Sequence, residues 1–195
     1  MIKLPKLILA SASPRRAEIL RAVGWDFDKQ VADIDETESP GEKPADYVQR
    51  LAREKAEAVA ENYTDALILG ADTIVVIENR IVGKPTDFDD ARRMLKTLSG
   101  NWHEVLTGVA LVKITDGNSE TKVDLQKTKV KFAELSDAEI EFLIELGAPL
   151  DKAGAYAVQA QAALFIERIE GDYWNVVGLP ARRVYAMLRE LLKEG

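Results

Sequence analysis

The sequence predicts a mixed α/β fold, and three observations carry that prediction. Helical and strand-like segments alternate along the chain instead of segregating. The strand-like runs are short, apolar and bounded by turn residues. Several helical runs carry their own start and stop signals. The chain has 195 residues, 47% of them hydrophobic and 30% charged, which is enough to bury a core. It shows no internal repeat, low-complexity segment or long linker. One domain spanning residues 1–195 is therefore expected.

Lys6–Ala10 reads as a buried strand. Pro14 suits the first turn of a helix, with Ser13 as its N-cap. That helix continues through Ile19, Leu20 and Val23 and stops at Gly24. The acidic stretch "ADIDETESPGEKP" reads as a loop with a turn at Pro40-Gly41. From Ala45 to Glu61 the period is helical, with Val48, Leu51, Ala52 and Val59 on one face and Lys55 among them. Leu67–Leu69 and Ile74–Ile77 read as two strands interrupted by Gly70-Ala-Asp-Thr. Glu78-Asn-Arg80 is a turn into Ile81–Val82. "TDFDDARRMLKTLSG" predicts a helix capped by Thr86 and closed at Gly100. "HEVLTGVALVKI" and "KVDLQKTKVKFAEL" predict two strands around a turn at Asp116-Gly-Asn118. Ser136 and Glu139 form a capping box for a helix ending at Gly147. "AALFIERIEG" predicts a strand. A last helix, Ala181 to Leu192, carries a stripe through Val184, Met187, Leu188 and Leu191.

Composition excludes several classes of function. The net charge of −7 repels nucleic-acid polymers and anionic membranes, so any anion site must be a local concentration of cations. The chain has no cysteine, which removes disulfides, thiolate metal sites and a cysteine nucleophile. The apolar run Leu7–Ala10 is too short for a signal sequence, and no segment approaches the roughly 18 apolar residues of a membrane span. A soluble, cytoplasmic protein is expected.

The chemistry-bearing residues are mostly cationic. In "LASASPRR" a helix N-terminus, Ser11, Ser13, Arg15 and Arg16 could cradle a phosphate, because unpaired N–H groups and guanidinium forks both bind its oxygens. The same residues also describe a capped surface helix with solvated arginines. Lys55 on an apolar helix face must snorkel or find an anion. Asp72, after the strand Leu67–Leu69, could ligate a hard divalent cation, take a proton from water, or close an Asx-turn. Glu36, in an acidic cluster with Asp33, Asp35 and Glu38, could add a second oxygen ligand or stay solvated. Lys84 in "GKP" is aimed by a tight loop. His103 is the sole histidine and cannot form a histidine-rich metal site. Tyr156 and Gln159 lie in a small-residue stretch, and the Gln159 amide could read a base edge. The absence of a P-loop and a dinucleotide fingerprint excludes those two modes. Together these residues describe a site for a polyphosphate.

The ordered blocks "LASASPRR", "GADT", "VGKP", "HEVLTGVAL", "DKAGAYAVQ" and "FIERIEGDYWNVVGLP" resemble the Maf-like nucleoside triphosphate pyrophosphatases from Leu7 to Pro180. The resemblance implies a two-lobed α/β fold, with a mixed twisted sheet flanked by helices, related to the inosine triphosphate pyrophosphatases. It implies an active-site cleft between the lobes and a homodimer. It further implies hydrolysis of dTTP and UTP, or of modified pyrimidine triphosphates, to the monophosphate and pyrophosphate. The resemblance implies a divalent metal cation as well, and an oxygen-rich site favours Mg²⁺ or Mn²⁺. Asp72 matches the family's proton acceptor. Arg15, Thr73 and Gln159 match positions of substrate choice. Arg16, Lys55 and Lys84 match phosphate-facing cations, and Glu36 an acidic site position with Asp72 toward the metal. A branch acting on 7-methyl-GTP and a nucleotide-binding regulatory module linked to cell division are the alternatives. Ala160 stands where the family usually has glycine, which bears on substrate preference. Ala181-Arg182 follows Pro180 where leucine is frequent.

Overall fold

The computed structural model describes residues 4–192. The chain runs β1 (Leu7–Ala10), α1 (Pro14–Ala22), β2 (Phe27–Lys29), α2 (Pro44–Ala60), β3 (Ala66–Ile77), β4 (Arg80–Val82), α3 (Phe88–Leu98), β5 (Trp102–Thr115), β6 (Asn118–Phe132), α4 (Asp137–Gly147), β7 (Ile166–Glu170), α5 (Tyr173–Val177) and α6 (Ala181–Leu191). Single 3₁₀ turns lie at Pro149–Asp151, Ala153–Ala155 and Gln161–Leu164. Among the described residues seven strands form one mixed sheet in the order β2-β1-β3-β5-β6-β7, with β4 on β3. β1 pairs parallel with β2 and β3, whereas β4 on β3 and β7 on β6 are antiparallel. The expected mixed α/β class is therefore the one observed. Among the described residues no helix is long and apolar enough to cross a membrane.

The chain divides into two compact units. Of the described residues, the first takes those up to Asp72, Thr107–Gln126 and those from Gly178 on. Its core gathers Ile8 and Ala10 of β1, Ala52, Ala56 and Val59 of α2, Ile68 of β3, and Ala110, Val112 and Ile114 of β5. The helix α2 lies on the sheet at two glycines. A Cβ at Gly70 would meet the Ala52 carbonyl oxygen at 2.1 Å, and one at Gly108 would meet that of Val48 at 2.0 Å. The two glycines, with Ala52 and Ala56 opposite Gly70, thus let helix and strand backbones touch. The stripe of α6 is buried as predicted, at Val184, Met187, Leu188 and Leu191.

The second unit is Thr73–Leu106 with Lys127–Val177. There α3 buries Ala91, Leu95 and Leu98, and α4 buries Ile140, Leu143 and Ile144. The two helices are tied by a double Arg92–Glu141 fork at 2.5 and 2.8 Å and by Lys96–Asp137 at 2.9 Å.

Four local expectations need correction. β3 is continuous, so "GADT" is strand and not a break. Gly70 stands there to admit the backbone of α2, the close approach that a glycine at this position allows. Ser13 occupies the N-cap of α1 without making a side-chain cap; its N–H donates to Ser11 Oγ at 3.2 Å. α3 is capped by Asp87, which accepts from Asp90 N at 2.7 Å, and not by Thr86. "AALF" belongs to a 3₁₀ turn, and β7 begins only at Ile166. The short helix α5 in "DYWNVV" and the short strand β2 fall where the sequence reading assigns no element. The capping box of Ser136 and Glu139 is present. So are the predicted turns at Glu78-Asn79 and Asp116-Gly117, all four residues in the left-handed region that tight hairpins require.

Candidate active site

The site is built where β1 stops. Ala10 is its last residue and pairs with Gly70 of the parallel strand β3. β3 runs on, so Asp72 stands two residues beyond the end of its neighbour, beside the loop that leads into α1. Ligands of open α/β sheets collect at such carboxyl strand ends.

Three elements bring charge there. α2 contacts Gly70 through Ala52 and Ala56, and Lys55, next along the helix, reaches Asp72 with its ammonium 2.7 Å from Oδ1. The same ammonium lies 2.7 Å from Glu36 Oε1. Lys55 and Asp72 side chains are each 12% exposed and that of Glu36 is 53% exposed. One cation therefore joins a shielded carboxylate to a more open one. In the first turn of α1, buried Arg16 donates from Nη1 to Ser11 Oγ at 2.7 Å and from Nε to the Gly178 carbonyl at 2.9 Å. Burial pushes its guanidinium below the usual range, Asp72 pushes it back up, Arg15 pushes it down and Glu36 up. Arg16 and Asp72 thus lie within electrostatic reach of each other. Arg15 is half-buried on the same turn.

Sequence reasoning missed two residues of α2. The Tyr47 hydroxyl donates to the Glu36 carbonyl at 2.8 Å. Its own acidity is weakened, to a pKa of about 12, by burial and by the charges of Asp72 and Glu36. Arg50 grips the acidic loop, as described below. The available signal was spacing: positions 47, 50 and 54 fall on one flank of a helix.

The remaining candidates belong to the second unit. Thr73 is half-buried on β3, and Lys84 and Gln159 are exposed. The loops carrying the last two are joined, because Gly154 N donates to the Gly83 carbonyl at 3.0 Å. Gly154 and Ala155 are both left-handed, at φ 70° and 65°; Ala155 is buried, and such strain persists only where its surroundings hold it. Tyr156 then anchors the segment with its hydroxyl 2.7 Å from His103 Nε2, inside an edge-on cluster with Phe132.

His103 is an internal group. Burial pushes its pKa down to about 4, so the folded protein holds it neutral while the unfolded chain takes up a proton near pH 6.5. Its contribution is fully present above pH 6.5 and declines as pH falls toward 4. Between pH 7 and pH 4 the wild type is expected to lose about 2–3 kcal/mol more stability than His103→Gln, read from urea unfolding of both proteins across that range. Equal acid sensitivity would remove His103 as the cause.

Among the described residues no group of three or more His, Cys, Asp or Glu gathers to hold a metal. What is present is a pair of hard-oxygen carboxylates already sharing one cation. That donor set fits a divalent ion taking its other ligands from phosphate and water.

Such a charged cluster on an open mixed sheet defines an α/β protein with a polar site at a strand end. The fold is that of the Staphylococcus aureus Ham1 protein, with a TM-score of 0.52 over 97% of this chain and 99% of that one, at 14% identity. The chain belongs to the Maf-like protein family, whose model matches residues 6–191. A relative from Hahella chejuensis, named dTTP/UTP pyrophosphatase, is 50% identical over 188 residues, covering 95% of this chain and 92% of that protein. Relatives of the same name from Symbiobacterium thermophilum and Bacillus cereus (strain B4264) are 50% and 45% identical over 185 residues, each covering 95% of this chain and, in turn, 93% and 95% of theirs.

Proposed function

We propose that this chain hydrolyses dTTP and UTP to the nucleoside monophosphate and pyrophosphate. The name shared by its relatives supports the reading. The observation that carries it is the Lys55 ammonium set between Glu36 and Asp72, at 2.7 Å from each. A carboxylate beside a triphosphate is repelled unless cations intervene, and this site supplies both signs together.

In this reading Asp72 accepts the proton of the water that attacks the α-phosphorus. Arg15, Arg16, Lys55 and Lys84 offset charge on the phosphate chain as pyrophosphate leaves. Ser11 and Ser13 complete the cradle at the start of α1. Thr73 and Gln159 set the base, the amide of Gln159 both donating to and accepting from the edge of uracil or thymine. Asp72 and Glu36 would hold the divalent cation, Mg²⁺ or Mn²⁺, which when bound neutralises phosphate oxygens and acidifies water. A homodimer and a cytoplasmic location belong to the same reading, the first resting on family resemblance and the second on the cysteine-free composition.

The test is pyrophosphate release from a panel of triphosphates. dTTP and UTP are expected to give the highest kcat/KM, with monophosphate and pyrophosphate in equal amounts and with EDTA abolishing release. Faster cleavage of 7-methyl-GTP would overturn the substrate assignment. Tight nucleotide binding with no release in Mg²⁺ or Mn²⁺ would overturn hydrolysis and favour a regulatory nucleotide-binding module.

A further inference from the structure

Glu36 is more than half exposed, and it sits on residues 30–39, which have no helix or strand. A carboxylate on such a segment samples many positions unless something holds the backbone that carries it. Two side chains of α2 do so. Arg50 makes a two-pronged fork onto Glu42, Nε to Oε1 at 2.7 Å and Nη2 to Oε2 at 2.8 Å. Its Nη2 also donates to the Thr37 carbonyl at 3.0 Å. Its Nη1 donates to Glu54 at 3.2 Å, which fixes the guanidinium to its own helix. Tyr47 donates to the carbonyl of Glu36 itself at 2.8 Å, with the Arg50 guanidinium over its ring at 5.5 Å. Glu42 closes the segment by accepting from Ser39 N at 3.1 Å. Consecutive carbonyls, those of Glu36 and Thr37, are thus gripped from one helix flank, and Lys55 one turn on receives the Glu36 carboxylate.

We infer that Arg50 and Tyr47 are positioning residues that hold the 36–42 segment on α2, so that the Glu36 carboxylate is presented at the Lys55–Asp72 pair. The inference rests on the catalytic reading of Glu36. Neither residue touches substrate in this account. Arg50 works through the planar fork, which lysine cannot reproduce.

The experiment is a double-mutant cycle read as kcat and KM for dTTP, with thermal unfolding as a check on folding. Arg50→Met is expected to lower kcat/KM by about 10- to 100-fold, the usual scale for groups that orient a site residue. Tyr47→Phe loses one hydroxyl and is expected to cost about 3- to 10-fold, the worth of one hydrogen bond, with its melting transition intact. Arg50→Lys is expected to remain near Arg50→Met. In a Glu36→Gln background, Arg50→Met and Tyr47→Phe should add no further loss, because the group they position is already gone. Full additivity, or near wild-type activity of folded Arg50→Met and Tyr47→Phe, would overturn the inference. A Glu36→Gln variant with wild-type activity would instead overturn the catalytic reading of Glu36, so the two failures are distinct. Should Arg50→Met unfold, the Tyr47→Phe cycle decides by the same criteria.

Discussion

Asp72→Asn is expected to lower kcat for dTTP by about 10²–10⁴-fold, the range for removing a positioned general base, while the protein remains folded. Asparagine keeps the shape of the side chain but cannot accept the proton. It also leaves Lys55 with Glu36, 2.7 Å away, so the ammonium keeps a partner. The cost in stability should therefore fall below the about 3 kcal/mol typical of stripping one member from a fully buried ion pair. Steady-state pyrophosphate release and thermal denaturation measure the two effects separately. A folded Asp72→Asn protein with most of the wild-type rate would remove Asp72 from the proton-accepting role.

The second large effect concerns backbone contact and no charge at all. Gly70→Ala is expected to destabilise the protein by about 3 kcal/mol or more, the upper end of overpacking costs. The added methyl would lie 2.1 Å from the Ala52 carbonyl oxygen and 2.9 Å from the Ala56 nitrogen and Cβ. None of these atoms is the end of a flexible side chain, so α2 must lift from β3. Lys55 would move with it, and activity should fall alongside stability. Gly83→Ala, which would meet nothing within 4 Å, is the control and should change stability by no more than about 0.5 kcal/mol. Urea unfolding of both variants decides the matter, and equal midpoints would show that α2 can yield without cost.

Much of this was legible in the residues. The helical stripes of α2 and α6, the capping box of α4 and the hairpin turns follow from local rules, and local rules decided them. The continuity of β3 was hidden because Gly70-Ala-Asp-Thr has the composition of a turn; only the helix lying on Gly70 reveals why a glycine belongs inside a strand. Thr86 and Asp87 are both good caps by type, and which one serves depends on a single residue of register. At the site, Lys55 stood out because a lysine on an apolar face needs an anion, and Asp72 and Glu36 are the anions it finds. Arg50 and Tyr47 did not stand out. A charged or phenolic residue on a helix flank reads as solvated surface, and its partners, loop carbonyls 11 and 13 positions away, carry no signature of their own. The segment around Gln159 was opaque for a similar reason, since the left-handed Ala155 lies between Gly154, which packs on Val75 and bonds to Gly83, and Tyr156, which meets His103, all partners from elsewhere in the second unit.

The bond from Arg16 to the Gly178 carbonyl spans 162 positions of the chain, and it has a consequence for how the protein is made. The first unit is assembled from opening, middle and closing segments. A ribosome adding about 5–20 residues each second delivers the carbonyl partner 162 positions after Arg16. Until then the guanidinium lacks that bond, and α6, which follows Gly178 in the chain, has not yet been made. The cradle thus matures only once residue 178 has been added, and a nascent chain cut short of it would carry all of the site side chains named above and still lack a finished site.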